Sequence, residues 1–371
     1  MIIGIPKEVK SDEYRVALLP VGAELLCRDG HTVLIETNAG VESGYPDTDY
    51  TDVGAAVVNS AAEVYGKADL VIKVKEPQPG EISMLRPKQI LFCYFHFASS
   101  LDLTEGCLQS GIAAVAYETL RDRRGALPLL TPMSEVAGKM SVQEGAKSLE
   151  KHRKGRGMLL GGVTGVKPAN VLILGAGVVG SNAAVVAAGM GANVIIMDIN
   201  LDRLRYIDEV MPPNVTTVFS DLHAIAYHAR YADLIIGAVL LPGEKAPRLI
   251  TRDIVKTMKP GAVLVDVAID QGGCFETSRP TTHRDPTYVV DDVVHYCVAN
   301  IPGAVSRTSS QALCHATLPY CRDLARLGVD AFTAKSDGHR AALNLCGGRI
   351  THRGVAEAFP ELPSDLLQET E

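Results

Sequence analysis

Residues able to do chemistry cluster in a few places along this 371-residue chain. The clearest is Gly175-Ala176-Gly177-Val178-Val179-Gly180, a G-x-G-x-x-G that directly follows the apolar run 171–174 and opens an Ala-rich stretch. In that setting Gly175 permits a tight turn, Gly177 lets the backbone approach a pyrophosphate, and Gly180 lets helix and strand pack closely. The helix N-terminus then offers free N–H groups to negative charge. Asp198 closes the next apolar run, where a carboxylate accepts hydrogen bonds from both hydroxyls of an adenosine ribose. The same carboxylate repels the extra phosphate of NADP, so NAD is the expected cofactor, while Arg203 close by leaves NADP tolerance open.

Hydride transfer to such a dinucleotide needs cations to hold an anionic substrate and an acid/base pair to manage protons. Arg15 lies in Asp-Glu-Tyr-Arg-Val, and its planar guanidinium suits a carboxylate gripped by two parallel bonds. Lys75 stands in Lys-Val-Lys-Glu-Pro. Taken singly, each reads as a solvated surface charge. His96 closes an apolar strand within Phe92-Cys93-Tyr94-Phe95-His96-Phe97-Ala98, and Asp270 follows the strand 263–266 just before Gly272 and Gly273. Both fall beyond the carboxyl end of a strand, where parallel sheets place their ligands. Their bland readings are a satisfied core histidine and a local turn cap.

These groups need elements to position them, and the chain supplies short apolar runs alternating with helix-length segments, the mark of a parallel sheet covered by helices. Strands are expected at 2–5, 32–36, 70–73, 89–93 and 112–116, with helices at 20–29, 60–65 and 101–110; Gly30 sits at a helix stop position. Thr131-Pro132 reads as a helix start, with Thr as cap and Pro at the first helical position, and that helix should run to about residue 152. Five glycines in 155–165 make a loop, either a plain connector or a hinge facing a ligand. The rhythm restarts with strands at 171–174, 193–197, 216–219, 234–237, 263–266 and 287–290, and a helical stretch after Thr308 leads into a tail of short elements. The fold class that follows is α/β: two Rossmann-like doubly wound parallel-sheet domains with an interdomain cleft. Residues 1–129 plus 307–371 form the substrate domain, and 130–306 the inserted NAD-binding domain.

Composition excludes several classes of function. A 47% hydrophobic content supports buried cores, and a net charge of -7 gives no general attraction for nucleic acid or anionic lipid. The uncharged stretch 171–197 is long enough to suggest a membrane span, but its glycines and the Ser181-Asn182 pair fit strand, helix, strand instead. The eight cysteines contain no C-x-x-C pair and no clustered metal-ligand spacing. They read as reduced thiols in the cytoplasm, with no metal expected, and the short apolar run before Lys7 and Glu8 does not indicate export.

All these positions match one family together. The chain closely resembles the alanine dehydrogenases, in the superfamily that also holds the NAD(H)-binding subunit of nicotinamide nucleotide transhydrogenase. The likeness runs from Ile2-Ile3-Gly4-Ile5-Pro6-Lys7-Glu8 through Ala116-Tyr117-Glu118-Thr119, Thr131-Pro132-Met133-Ser134-Glu135-Val136-Ala137-Gly138 and Asp266 to Pro280, as far as Tyr296-Cys297-Val298-Ala299-Asn300-Ile301-Pro302. It covers nearly everything except the last 50 or so residues.

The resemblance implies that Arg15 and Lys75 bind the substrate carboxylate and carbonyl and that His96 and Asp270 are the acid/base residues. It also implies that Ser134, Val178, Val179, Asp198, Arg203, Ser220, Val239 and Leu240 line the NAD site, with Val267, Ala268, Ile269, Asp270, Val298, Ala299, Asn300 and Ile301. Phe97 replaces the leucine usual after the histidine, and Ile301 a methionine usual near the nicotinamide; both substitutions bear on pocket size. The implied reaction is oxidative deamination of L-alanine to pyruvate and ammonia, and its reverse, in a homo-oligomer that is commonly a hexamer in this family. The rival readings are a transhydrogenase subunit, against which His96 with Lys75 argues, a saccharopine-type or opine-forming dehydrogenase, and a non-enzymatic NAD-sensing module. If Asp198 holds the ribose, Asp198→Gly should weaken NAD use and improve relative use of NADP; unchanged cofactor preference in steady-state kinetics would remove that role.

Overall fold

The structure is a computed structural model that describes residues 1–239 and 247–367. The chain divides into two compact units, Met1–Met133 with Gly303–Glu371, and Ser134–Pro302.

Strands in the first stretch are β1 Ile2–Ile5, β2 Thr32–Glu36, β3 Ala56–Val58, β4 Leu70–Ile72, β5 Ile90–Cys93 and β6 Ala113–Ala116. The second unit contributes β7 Asn170–Leu174, β8 Asn193–Asp198, β9 Val215–Phe219, β10 Leu234–Gly237, β11 Val263–Asp266, β12 Thr287–Val290 and β13 Val293–Tyr296; the tail adds β14 Leu343–Cys346 and β15 Arg349–Ile350. The first unit's sheet has the order β15-β14-β6-β5-β4-β1-β2-β3, and the second's β12-β13-β11-β10-β7-β8-β9. β4, β5, β6, β10 and β11 are buried along their whole length. They are therefore continuous apolar runs rather than alternating ones, as strands covered on both faces must be.

Both sheets are mostly parallel, with antiparallel pairing at one edge. β14 runs antiparallel to β6 and to β15, and β12 antiparallel to β13. The β12–β13 hairpin turns on Asp291 and Asp292, both at positive φ (47° and 61°). Such a two-residue turn is usually signalled by glycine or asparagine, so β13 was not legible as a separate strand. β3, β14 and β15, two to four residues each, are likewise strands that the pattern did not announce.

Chain order reverses once in each sheet, between β1 and β4 in the first and between β7 and β10 in the second. At such a switch point the loops leaving the two central strands diverge, and open parallel sheets hold their ligands there. The uncharged stretch 171–197 folds as β7, the helix Val178–Gly189 and β8. Among the described residues no helix is long and apolar enough to cross a membrane.

Two local expectations are corrected. The Thr131 hydroxyl does not cap its helix; it donates back to the Leu127 carbonyl at 2.9 Å, and the helix Thr131–Ser148 ends earlier than expected. Within the glycine-rich stretch 155–165, Gly155 and Gly161 are packing glycines: an added Cβ would lie 2.2 Å from the Ser148 and Met190 carbonyl oxygens, respectively. Backbone against backbone leaves no flexible atom to give way. Gly161→Ala should therefore lower stability by about 1–3 kcal/mol, read as an earlier thermal unfolding transition; an unchanged melt would show that this loop can move aside.

Candidate active site

In the first unit the loops leaving β1, β4, β5 and β6 carry Arg15, Lys75, His96 and Glu118. Arg15 is not a surface charge: it is 2% exposed. Its two-bond grip is made with Glu13, Nε to Oε1 at 2.6 Å and a terminal nitrogen to Oε2 at 2.5 Å, while the other terminal nitrogen lies 3.0 Å from Met133 Sδ. Burial works to raise the Glu13 pKa, but Arg15 and then Lys75 outweigh it and hold it at about 2, so Glu13 is an anion at any working pH. Arg15 and Lys75 therefore act on the same carboxylate. Lys75 acts on Glu76 as well, so this end of the sheet is a mixed cluster of carboxylates and cations.

Tyr94 connects this charge cluster to His96. Its ring stacks on the imidazole, with centroids 6.0 Å apart and planes within 5°, and its hydroxyl, donating to the Leu129 carbonyl, lies within electrostatic reach of Arg15. His96 sits in the left-handed region at φ 53°, a conformation costing an L-residue about 1–2 kcal/mol. Glu118 compensates that strain by accepting the His96 N–H at 2.6 Å and the Phe95 N–H at 3.2 Å. His96 itself is exposed, whereas Phe97 is 1% exposed and stacks on Phe95 at 4.5 Å in the core. The Phe97 replacement thus alters core packing and not a pocket wall.

Beneath Lys75 lies a buried ion network that sequence reasoning missed. Lys73 is fully buried and bridges Glu8 (3.1 Å) and Glu81 (2.8 Å). Burial disfavours its ammonium, but the two carboxylates win and raise its pKa, so it stays charged. Glu8 also accepts the Val74 N–H at 2.6 Å, which pins the turn that presents Lys75. A lysine ending an apolar strand carries no local sign of this, because one partner is 65 residues away.

In the second unit the glycine loop follows β7 at the switch point. Gly175 has φ 100°, and a Cβ there would lie 2.7 Å from the Ala238 carbonyl oxygen; at Gly180 it would lie 1.8 Å from that of Gly175. Gly177 differs, because a Cβ would meet nothing within 4 Å. It is the N-cap of Val178–Gly189 and makes no side-chain cap, so backbone donors face open space, as an approaching pyrophosphate requires. Asp198 accepts the Ala176 N–H at 2.7 Å and the Asn200 N–H at 2.8 Å, and Arg203 donates to the Ala176 carbonyl at 2.6 Å and reaches Ser181. Acid and arginine therefore brace the glycine loop.

The other positions named from the sequence follow neighbouring strands. The Ser220 N–H bonds the Asp198 carbonyl, Val239 follows β10, 267–270 follows β11, and 298–301 follows β13. Asp270 is exposed in the turn Ile269–Gln271, and Asn300 sits at φ 60°. Ser134 opens this unit, and Leu240 lies outside the described residues. A second missed residue is Asp266, fully buried, which accepts from Cys274 N (3.0 Å), Ser278 Oγ (2.5 Å) and Ala268 N (3.2 Å). Burial raises its pKa, and those donors oppose the rise. It closes the loop carrying Asp270.

Residues 4–137 match the family described as Alanine dehydrogenase/PNT, N-terminal domain, and residues 141–353 match Alanine dehydrogenase/PNT, C-terminal domain. The chain belongs to the alanine dehydrogenase/PNT family. Within that family it is 54% identical over 359 residues to the alanine dehydrogenase of Halomonas elongata, covering 97% of each chain. It is 48% identical over 368 residues to that of Methanococcus maripaludis, covering 98% of this chain and 99% of the other. Among solved structures, an L-alanine dehydrogenase superposes with a TM-score of 0.94 at 48% identity, covering 97% of this chain and 99% of that one. A transhydrogenase from Sinorhizobium meliloti gives 0.80 at 26% identity, covering 95% and 99%.

Glu118 is the acceptor that holds His96 in its strained backbone, and catalytic geometry that slips by about 1 Å loses about 100-fold. Glu118→Ala should accordingly lower turnover by about 10- to 100-fold with NAD affinity unchanged, and Glu118→Gln should recover part of it. Equal losses in both variants would show that Glu118 acts otherwise than as a backbone acceptor.

Proposed function

We propose that the chain catalyses NAD-dependent oxidative deamination of L-alanine to pyruvate and ammonia, and the reverse reductive amination. One observation carries the reading. Arg15, Lys75 and His96 leave three adjacent strands at a switch point and gather around Glu13 and Tyr94, in a chain about half identical to alanine dehydrogenases along nearly its whole length. NAD suits the open backbone donors at Gly177 and the carboxylate of Asp198 at the end of β8.

When bound, the nicotinamide supplies the hydride acceptor. Arg15 and Lys75 hold the substrate carboxylate and carbonyl, with Glu13 fixing the Arg15 guanidinium in place. Loss of a proton from the amine and of hydride from the α-carbon leaves an imine. Water adds to it while His96 and Asp270 exchange protons with the oxygen and the departing nitrogen, and collapse of the carbinolamine releases ammonia from pyruvate. An imidazole suits this duty because its unperturbed pKa near 6.5 leaves both forms populated at neutral pH. The same reading includes a cytoplasmic homo-oligomer, a hexamer by the family resemblance.

The test is to incubate the purified protein with NAD and a panel of amino acids and follow nicotinamide absorbance. Alanine should exceed serine, glycine and lysine by a wide margin. NAD binding without turnover on any of them would favour a transhydrogenase subunit, to which the 26% identical structure points. His96→Ala and Asp270→Asn should each lose at least about 100-fold in turnover while still binding NAD; near-normal turnover in either removes that residue from the mechanism.

A further inference from the structure

None of the residues assigned above lines a cavity of about 390 Å³ in the second unit, whose walls include Lys147, Arg153, His283 and Arg284, with Glu144 and Tyr296. Its three cations come from three separate stretches: the helix Thr131–Ser148, the short turn Lys151–Arg153, and the loop leading into β12. Against them stands one carboxylate, Glu144, 3.9 Å from Lys147 Nζ. Among the described residues neither guanidinium has a side-chain partner, and Arg153 Nε is buried without any hydrogen bond.

This sets the cavity apart from the other sheltered cations. Arg15 is matched by Glu13, Lys73 by Glu8 and Glu81, and Arg156 and Lys259 by Asp233. Arg153 Nε is a buried donor with no acceptor, flanked by exposed Lys147 and Arg284, so an external anion entering the cavity would satisfy a donor that the chain leaves unmatched. The site is also separate from the dinucleotide loop, since β13, which carries Tyr296, lies three strands from β7, about 14 Å at the usual spacing.

We infer that this cavity binds a small polyanion carrying two or more phosphate or carboxylate groups. Three cations against one anion leave two positive charges, more than a single monoanion balances. The volume falls in the range of small-molecule sites, about 300–1,000 Å³, and guanidinium forks take phosphate or carboxylate oxygens in pairs. His283 stands beside them with Nε2 on the Asn300 carbonyl at 3.1 Å, so it shapes the wall and is not counted among the charges.

Calorimetric titration of the full-length protein with sodium pyrophosphate and with citrate, at low ionic strength, tests the inference. Because a dinucleotide loop also attracts pyrophosphate, the titration is run on Gly177→Val, whose side chain points into open space at that loop, beside the unsubstituted protein. The expected result is one site per chain that survives Gly177→Val and weakens at least about 10-fold in Arg284→Ala and in Arg153→Met, the scale of one lost charge-assisted bond. Arg284 is exposed and unpartnered, so its variant carries little risk to folding. Inorganic phosphate should bind at least about 10-fold more weakly than pyrophosphate. Binding of neither polyanion, binding lost in Gly177→Val, binding indifferent to both arginine variants, or phosphate binding as tightly as pyrophosphate would each overturn the proposal. None of these outcomes depends on whether the chain deaminates alanine.

Discussion

One interaction recurs wherever the two sheets hand over to their functional loops: a carboxylate at the exit of one parallel strand accepts main-chain N–H groups from the loop leaving its neighbour. Glu36 takes Lys7, Glu8 takes Val74, Glu118 takes Phe95 and His96, and Asp198 takes Ala176. Asp266 does the same for Cys274 within its own loop. The need arises from the sheet itself. Where a parallel strand ends, its ladder of bonds ends too, and the next N–H groups turn to a side chain or to water. An ionised acceptor is the strongest available, worth about 1.5–3 kcal/mol per bond.

These bonds make the loops stiff where chemistry needs stiffness. Glu118 fixes the Phe95 and His96 N–H groups and so steadies the left-handed backbone of His96 on an exposed turn. The Glu8 carboxylate has a double duty, since one oxygen pins Val74 and the other compensates buried Lys73. Through it the turn after β1 and the turn before Lys75 become one rigid piece. In the second unit both Asp198 oxygens are engaged by main-chain N–H groups, of Ala176 and Asn200, so the acid that ends β8 braces the glycine loop.

Charge balance around the first unit's switch point follows from burial. An arginine at 2% exposure needs a counter-ion, and Glu13 supplies it through two bonds from two residues away. That pair alone would offer nothing to an anionic substrate. Lys75 is held close enough to act on Glu13 as well, and on Glu76 beside it. Counting Arg15 and Lys75 as two free cations therefore overstates the charge at this end of the sheet.

How much of this was legible in the sequence follows a physical line. Local pattern determined what local forces control: continuous apolar runs became the buried strands β4, β5, β10 and β11, the helix Leu101–Ser110 runs over the residues expected for it, and glycines at 175, 177 and 180 marked a turn that only glycine sterics permit. The family resemblance added the identities of Arg15, Lys75, His96 and Asp270, none of which spacing alone separates from surface charge or core histidine. Tertiary structure alone decided which charges are paired. That Arg15 spends its fork on Glu13, that Lys73 is buried between Glu8 and Glu81, that Glu118 and Asp266 hold loops, and that Arg153 and Arg284 face a cavity with one carboxylate between them are outcomes of long-range packing. Hydrophobic periodicity records whether a side chain is turned inward, but a charge's partner is set by which strand exits the sheet beside it, and that neighbour stands tens to hundreds of residues away in the chain.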